Sequence, residues 1–352
     1  MAENRWLDPR CSLLDIPSGI DGNFIKLGDG RLMSMVGNRQ AFGTPIEGIS
    51  VSDDDGKTWS TPRPVHEGAE SGPPACGVLI RTREGVCIAV YAGREGFFWD
   101  WDEESGEAAA NVRADVWSAR SLDEGETWID HHRILDGYCG ALMNIIQTSS
   151  GTVVAPVPIF LRDPDRHESS VYTTVDQGVT WTRSNIVDLG DHGHHGGVDE
   201  GAIEEMEDGR LLMLMRTNWD QLWEAISGDD GRSWRTVRPS GLDASSAPAN
   251  LLRLNSGKLL LLWNRLYPEG KHEFFRSGGA AAAVAASRHR EELSLAFSDD
   301  GLSWSEPQVI ARDPRGLSYP RAFERRPGEV WITTAFQGNL QIRIDVDDFI
   351  VA

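Results

Sequence analysis

The sequence predicts an all-β fold, a six-bladed β-propeller of four-stranded antiparallel blades whose ring is closed by an N-terminal strand joining the last blade. Three observations carry that expectation. Five near-copies of one turn motif end at Trp59, Trp128, Trp181, Trp234 and Trp304, 53 to 70 residues apart, the length of a propeller blade or solenoid unit. Six short apolar runs are each launched by a turn glycine. A chain of 352 residues, 40% hydrophobic and 25% charged, is neither disordered nor fibrous.

The turn motif, or box, reads Ser52-x-Asp54-x-Gly56-x-Thr58-Trp59 in its first copy. It returns around Asp123 and Trp128, Asp176 and Trp181, and Asp229 and Trp234, and a variant reads Asp299-x-Gly301-x-Ser303-Trp304 with Phe297 at the Ser/Thr position. The Asp and Ser/Thr side chains suit bonds to the backbone N–H groups of a glycine-containing turn, with the Trp packed beside them, so these aspartates are expected to be structural.

The second repeat supplies hairpins at Gly30, Gly85, Gly151, Gly209, Gly257 and Gly328. Each glycine precedes an apolar run too short for a helix, as in EDGRLLMLM and NSGKLLLLW. Six hairpins and five boxes place blades near 18–66, 67–136, 137–190, 191–243, 244–313 and 314–352 plus 6–17, in one domain. The chain ends about one strand short, and Cys11 to Ile16 is placed to complete the last blade, protecting an open sheet edge. Extra length in blades two and five, Ala92 to Arg113 and Tyr267 to Arg290, is expected as loops on the face opposite the box turns, where function usually sits.

Charge and cysteine content narrow the function classes. Fifty-four acidic against thirty-four basic residues give a formal charge of −20, which disfavours nucleic acid and anionic lipid as partners. No apolar run is long enough to span a bilayer, and MAENRWLDPR has no signal architecture, so a cytoplasmic location is expected. Cys11, Cys76, Cys87 and Cys139 form no C-x-x-C pair and read as reduced thiols.

The boxes resemble those of the sialidase (neuraminidase) superfamily, and the six hairpins match its six-bladed propeller across essentially the whole chain. Sialidases use a tyrosine nucleophile activated by a carboxylate, because a neutral phenol escapes repulsion from the substrate's own carboxylate, which an arginine triad clamps. The resemblance implies Tyr319, at the start of blade six, as nucleophile and Glu200, in Asp199-Glu200-Gly201 of blade four, as its base. It implies Arg216 and Arg290 as two clamp arginines. The family's blade-one Arg-Ile-Pro motif is absent, since Gly19-Ile20-Asp21-Gly22-Asn23-Phe24 holds no arginine. Arg39, Arg94 and Arg113 are candidates to compensate, and Glu47 or Asp21 for the acid/base role.

Other residues carry competing chemistry. Asp191 to Glu200 concentrates three of nine histidines; His194 and His195 are expected to transfer protons or bond sugar hydroxyls. No metal or other cofactor is expected. Blade two's Phe97, Phe98, Trp99 and Trp101, interleaved with acids, suit either a saccharide wall or a subunit contact in a homo-oligomer. Trp219, Asp220, Trp223 and Glu224 follow Arg216 and are candidates for the same cavity, with a core role for Trp223 as the alternative. The Ala/Gly-rich stretch of blade five reads as a short helix, a lid or a plain linker. The expected activity is exo-hydrolysis of a terminal acidic sugar from a glycan. The alternatives are a glycosidase or lyase on uronic-acid or deoxy-sugar glycans that uses a histidine, and a non-catalytic glycan-binding propeller.

Overall fold

The computed structural model describes residues 5–17, 19–37, 46–65, 74–93, 97–102, 104–268, 270, 276–277, 286–334 and 338–350. Strands dominate it, and Val346–Asp348 is a short 3-10 turn. Among the described residues no helix is long and apolar enough to cross a membrane.

Six antiparallel sheets form the blades of a propeller. Blade one has Ile20–Lys26, Leu32–Gly37 and Ile46–Ser52, with a bridge from Ile49 to Arg63 where a fourth strand would lie. Blade two has Pro74–Arg81, Cys87–Gly93, Val116–Ser121 and Ile129–Leu135, and blade three has Ile146–Gln147, Val153–Leu161, Arg166–Thr174 and Thr182–Arg183. Blade four has Val198–Glu205, Leu211–Thr217, Gln221–Ser227 and Thr236–Asp243, and blade five has Asn250–Arg253, Leu259–Trp263, Glu292–Ser298 and Gln308–Arg312. Blade six has Pro320–Arg326, Glu329–Thr334 and Gln341–Asp345, and the N-terminal Ser12–Leu13 pairs with Arg343 and Ile342 as its outer strand. The closure expected from Cys11 to Ile16 is therefore present. Trp6–Leu7 instead extends blade five, with Trp6 opposite Arg312.

The second strands explain the apolar runs. Cys87–Gly93, Leu211–Thr217 and Leu259–Trp263 are buried at every residue, because both faces of a central strand pack on neighbouring blades. One cluster joins Ile88 and Val90 of blade two to Val153 and Val157 of blade three, and another joins Leu214 of blade four to Leu251 and Leu261 of blade five. All six hairpin glycines have positive φ, between 81° and 100°. At Gly209 and Gly257 an added Cβ would meet nothing, so the left-handed backbone, not space, calls for glycine.

Asparagines near the axis tie one blade to the next. Asn23 donates to Gly77 O across blades one and two, Asn144 to Ile203 O across three and four, and Asn250 Oδ1 accepts from Ala322 N across five and six. They surround an axial cavity of about 270 Å³ that Glu204 and Arg321 also line.

The box turns bond as their composition suggests. Asp176 Oδ1 accepts from Thr180 N at 2.9 Å and Oδ2 from Thr180 Oγ1 at 2.6 Å, while Thr174 Oγ1 accepts from Gly178 N. The fifth copy corrects the sequence reading. Asp300, not Asp299, accepts from Leu302 N and Ser303 N, and Ser298, not Phe297, accepts from Gly301 N. The turn is one residue tighter, so the functional pair shifts by one, and Asp299 is left at the surface against Lys258. Cys11, Cys87 and Cys139 are buried thiols, and Cys76 is partly buried.

Candidate functional site

The site forms where blades four, five and six face the axis. A β-bulge between Asp199 and Ala202 interrupts the innermost strand of blade four, and such bulges re-aim side chains. Glu200, inside that bulge, adopts φ 36°, and Tyr319, just before the first strand of blade six, adopts φ 55°. Left-handed backbone is costly for such residues and clusters at functional sites. Here it marks both members of one contact: Tyr319 Oη donates to Glu200 Oε1 at 2.9 Å.

Arg216 holds the other side of Glu200. It lies opposite Asp199 on the second strand, is 2% exposed, and reaches Glu200 Oε2 at 2.8 Å through Nη1. The same Nη1 stands 3.5 Å from Tyr319 Oη. Its Nε and Nη2 donate to Ser246 Oγ, whose proton goes to Asn218 Oδ1. Arg290 donates to Ser246 O at 2.7 Å and its guanidinium lies 5.7 Å from the Tyr319 ring centroid. Tyr319, Glu200, Arg216 and Arg290 are thus brought together from three blades.

Burial sets the electrostatics. It pushes the Tyr319 phenol above its ordinary range, with the Glu200 charge adding to the effect and Arg216 and Arg290 opposing it. Burial also raises Glu200 above an ordinary carboxyl, against the pull of Arg216. A phenol that holds its proton beside a carboxylate of raised basicity has the arrangement in which the oxygen can attack an electrophile while the carboxylate takes the proton.

Sequence reasoning missed a third arginine. Arg288 is buried enough to be lowered to about 10, first by desolvation and then by the charges of Arg216 and Arg290. Its Nε makes no hydrogen bond among the described residues. A signal existed, because Arg288 and Arg290 are two apart, the spacing that shares one face of an extended segment. Tyr138, also missed, is raised by burial and by the charges of Asp199, Glu200 and Tyr319.

Other sequence candidates lie elsewhere. Arg113, expected as a compensating clamp residue, is bound to Asp115 and Asp136 at 2.6 and 2.8 Å, so its charge is committed to blade two. Arg39 and Arg94 fall outside the described residues, as do the side chains of Glu47 and Asp21 and most of the Ala/Gly-rich stretch of blade five. Trp223 packs in the core between blades three and four, and Glu224 pairs with Arg238.

The histidine loop joins the site through Asp199 and blade two. His194 stacks on Trp101 at 5.3 Å and on His195 at 4.2 Å, while Trp99 packs against Tyr138, Phe160, His167 and His194. These contacts put blade two's aromatic insertion beside the catalytic candidates. Burial lowers His194 to about 4 and holds His195 well below an ordinary imidazole, so neither ring is an imidazolium near neutral pH. His167, His195 and Asp199 place three potential metal-ligand atoms within 4.8 Å of one another.

Comparison with known proteins fits this architecture. The BNR repeat-like domain family matches residues 48–332. A sialidase of Bacteroides fragilis is 24% identical over 301 residues, covering 77% of this chain and 50% of the relative, so the chain spans about half the length of that curated protein. A protein of unknown function from Dyadobacter fermentans superposes with a TM-score of 0.66 at 16% identity, over 97% of this chain and 98% of that one. An intramolecular trans-sialidase from Ruminococcus gnavus, solved with oseltamivir carboxylate, superposes at 0.62 with 14% identity, over 97% and 98% of the two chains. The chain belongs to the BNR repeat-like domain family, within the sialidase superfamily of six-bladed propellers.

Proposed function

We propose that the protein is a sialidase-type exo-glycoside hydrolase that releases a terminal acidic sugar with retention of configuration. The observation that carries this reading is the buried 2.9 Å hydrogen bond from Tyr319 Oη to Glu200 Oε1, with Arg216 on the opposite carboxylate oxygen. The relatives named sialidase and trans-sialidase support it.

In the first step Tyr319 Oη forms a bond to the anomeric carbon as the bond to the leaving-group oxygen breaks, and the phenolic proton passes to Glu200. The leaving oxygen takes a proton from an acid on blade one, for which Glu47 and Asp21 remain the candidates. Water, deprotonated by the same group, then attacks the anomeric carbon and displaces the tyrosine, which recovers its proton from Glu200. Retention follows from two displacements at one carbon.

Arg216, Arg290 and Arg288 form the anion clamp in this reading. Arg288 supplies from blade five the third positive charge that the blade-one stretch 19–24 does not hold. Its depressed basicity reflects burial first and then the charges of the other two guanidinium groups, and a bound carboxylate relieves that repulsion. The neutral state of His194 and His195 argues against a histidine acid, although it leaves a histidine base available to a lyase.

A panel of chromogenic glycosides covering sialic, other ulosonic, uronic and deoxy sugars tests the proposal. Wild type should cleave an acidic member, and Tyr319→Phe should lose at least about 1000-fold in kcat/KM, roughly 4 kcal/mol of transition-state stabilisation, at unchanged Tm. Full activity in Tyr319→Phe, or an unsaturated product absorbing in the ultraviolet, would overturn it.

A further inference from the structure

Blades three and four direct three further groups to one point beside Glu200. His167 belongs to Arg166–Thr174, His195 to the loop entering blade four, and Asp199 to Val198–Glu205. Nδ1 of His195 stands 3.6 Å and Nδ1 of His167 3.7 Å from the same atom, Asp199 Oδ2. These separations exceed a hydrogen bond. Both Nδ1 atoms are buried without a hydrogen-bond partner among the described residues, and His167 is 1% exposed.

Two orphaned ring nitrogens converging on one carboxylate oxygen are poorly explained as packing, because buried polar atoms ordinarily find partners. They are well explained as a ligand set. Bonds of about 2.0–2.2 Å in a tetrahedral arrangement hold neighbouring ligand atoms roughly 3.3–3.6 Å apart. We propose that His167 Nδ1, His195 Nδ1 and Asp199 Oδ2 bind one divalent transition ion of the zinc class, with a coordination position left for water or a substrate oxygen.

The surroundings suit that role. Two nitrogens and one carboxylate form the three-ligand type of site that keeps a position open, in contrast to closed structural sites of four protein ligands. Asp199 Oδ1 accepts from Glu200 N at 2.9 Å, which fixes the carboxylate plane and leaves Oδ2 for the ion. His195 stacks between His194 at 4.2 Å and His167 at 5.1 Å, so the rings cannot turn independently. The ion's use toward a substrate rests on Tyr319 and Glu200 being the reacting pair: it would hold an oxygen of the same sugar and add positive charge from blades three and four.

Chelator-stripped full-length protein titrated with Zn²⁺ and with Co²⁺ tests the site by calorimetry, elemental analysis and Co²⁺ visible absorption. One ion per chain should bind with micromolar or tighter Kd. His167→Gln and Asp199→Asn should weaken binding at least about 30-fold, and His192→Gln, at an exposed ring in the same loop, should leave it unchanged. If Asp199→Asn folds poorly, His195→Gln and the wild-type Co²⁺ spectrum decide: weakened binding in the variant and a low-symmetry four- or five-coordinate spectrum support the site. Substoichiometric binding by wild type, unchanged affinity in His167→Gln, or loss in His192→Gln would overturn it. Tyr319→Phe should bind the ion normally, so failure of the metal site and failure of the nucleophile are separable.

Discussion

The two faces of the ring use carboxylates on opposite terms. On the box face, Asp54, Asp123, Asp176 and Asp229 each accept through Oδ1 and Oδ2 from the backbone N–H and hydroxyl of the residue four positions on. Their donors are neutral, near in sequence and exposed, and those bonds lower Asp54 to about 2. At the axis, Glu200 accepts from Tyr319, 119 residues away, and from the buried Arg216. Its basicity is raised, not lowered, because burial outweighs the arginine. One functional group thus serves as an inert turn brace where water reaches it and, in the reaction proposed above, as a proton acceptor where water is excluded. Desolvation and partners from distant blades make the difference, and side-chain chemistry alone does not.

The comparison is most sharply broken at Glu200. Glu200→Gln keeps the shape and removes the proton acceptor, so kcat against an acidic chromogenic glycoside should fall about 100- to 10,000-fold while Tm holds or rises. A variant that loses Tm and keeps kcat would place Glu200 with the structural carboxylates. Arg288→Met comes next. Loss of one clamp arginine should raise KM about 10- to 100-fold for an acidic substrate, with Arg288→Lys recovering part of the loss because it keeps charge without the fork. An unchanged KM in Arg288→Met would remove Arg288 from the clamp.

The box face should respond in the opposite sense. Ser227 is 1% exposed, accepts from Gly231 N at 3.0 Å and donates to Asp229 Oδ1 at 2.8 Å. Ser227→Ala strands that buried N–H, so denaturant unfolding should show a loss of about 1–2 kcal/mol with kcat and KM unchanged. A change in kcat would mean that the two faces are coupled.

The same contrast explains what the sequence revealed. Box bonds span four residues, so their spacing survives as a visible pattern, and the hairpin glycines announce themselves by a backbone only glycine adopts readily. The fifth box was misread by one residue because its tighter turn leaves an Asp-Asp pair, Asp299-Asp300, in which either residue fits the pattern. Tyr319, Glu200, Arg216 and Arg290 were legible only through resemblance, since no local spacing links blades four, five and six. Arg113 was misassigned because its partners Asp115 and Asp136 could be seen in sequence but not their 2.6 and 2.8 Å contacts. His167 had no signal at all: it sits in an ordinary strand of blade three and matters only because the loop holding His195 folds over it.

Glu204 tests whether desolvation alone, without a catalytic partner, reproduces the axial behaviour. It lies four residues after Glu200 on the same strand, is 8% exposed, and faces the axial cavity. Burial raises it to about 7, against the Arg253 backbone N–H and charge, with Glu205 adding repulsion. Because the folded pKa lies above the ordinary carboxyl value, the folded state holds the extra proton between about pH 4.5 and 7. Stability is therefore full below pH 4.5 and falls as pH rises toward 7. Complete desolvation would make that loss roughly 3 kcal/mol, but a side chain facing a cavity keeps some hydration, so about 1 kcal/mol is expected. Glu204→Gln should flatten this slope in denaturant titrations and leave kcat unchanged at every pH. If the slope persists in Glu204→Gln, desolvation at the axis is too weak to shift a carboxylate by itself, and the basicity of Glu200 must come from its neighbour Asp199.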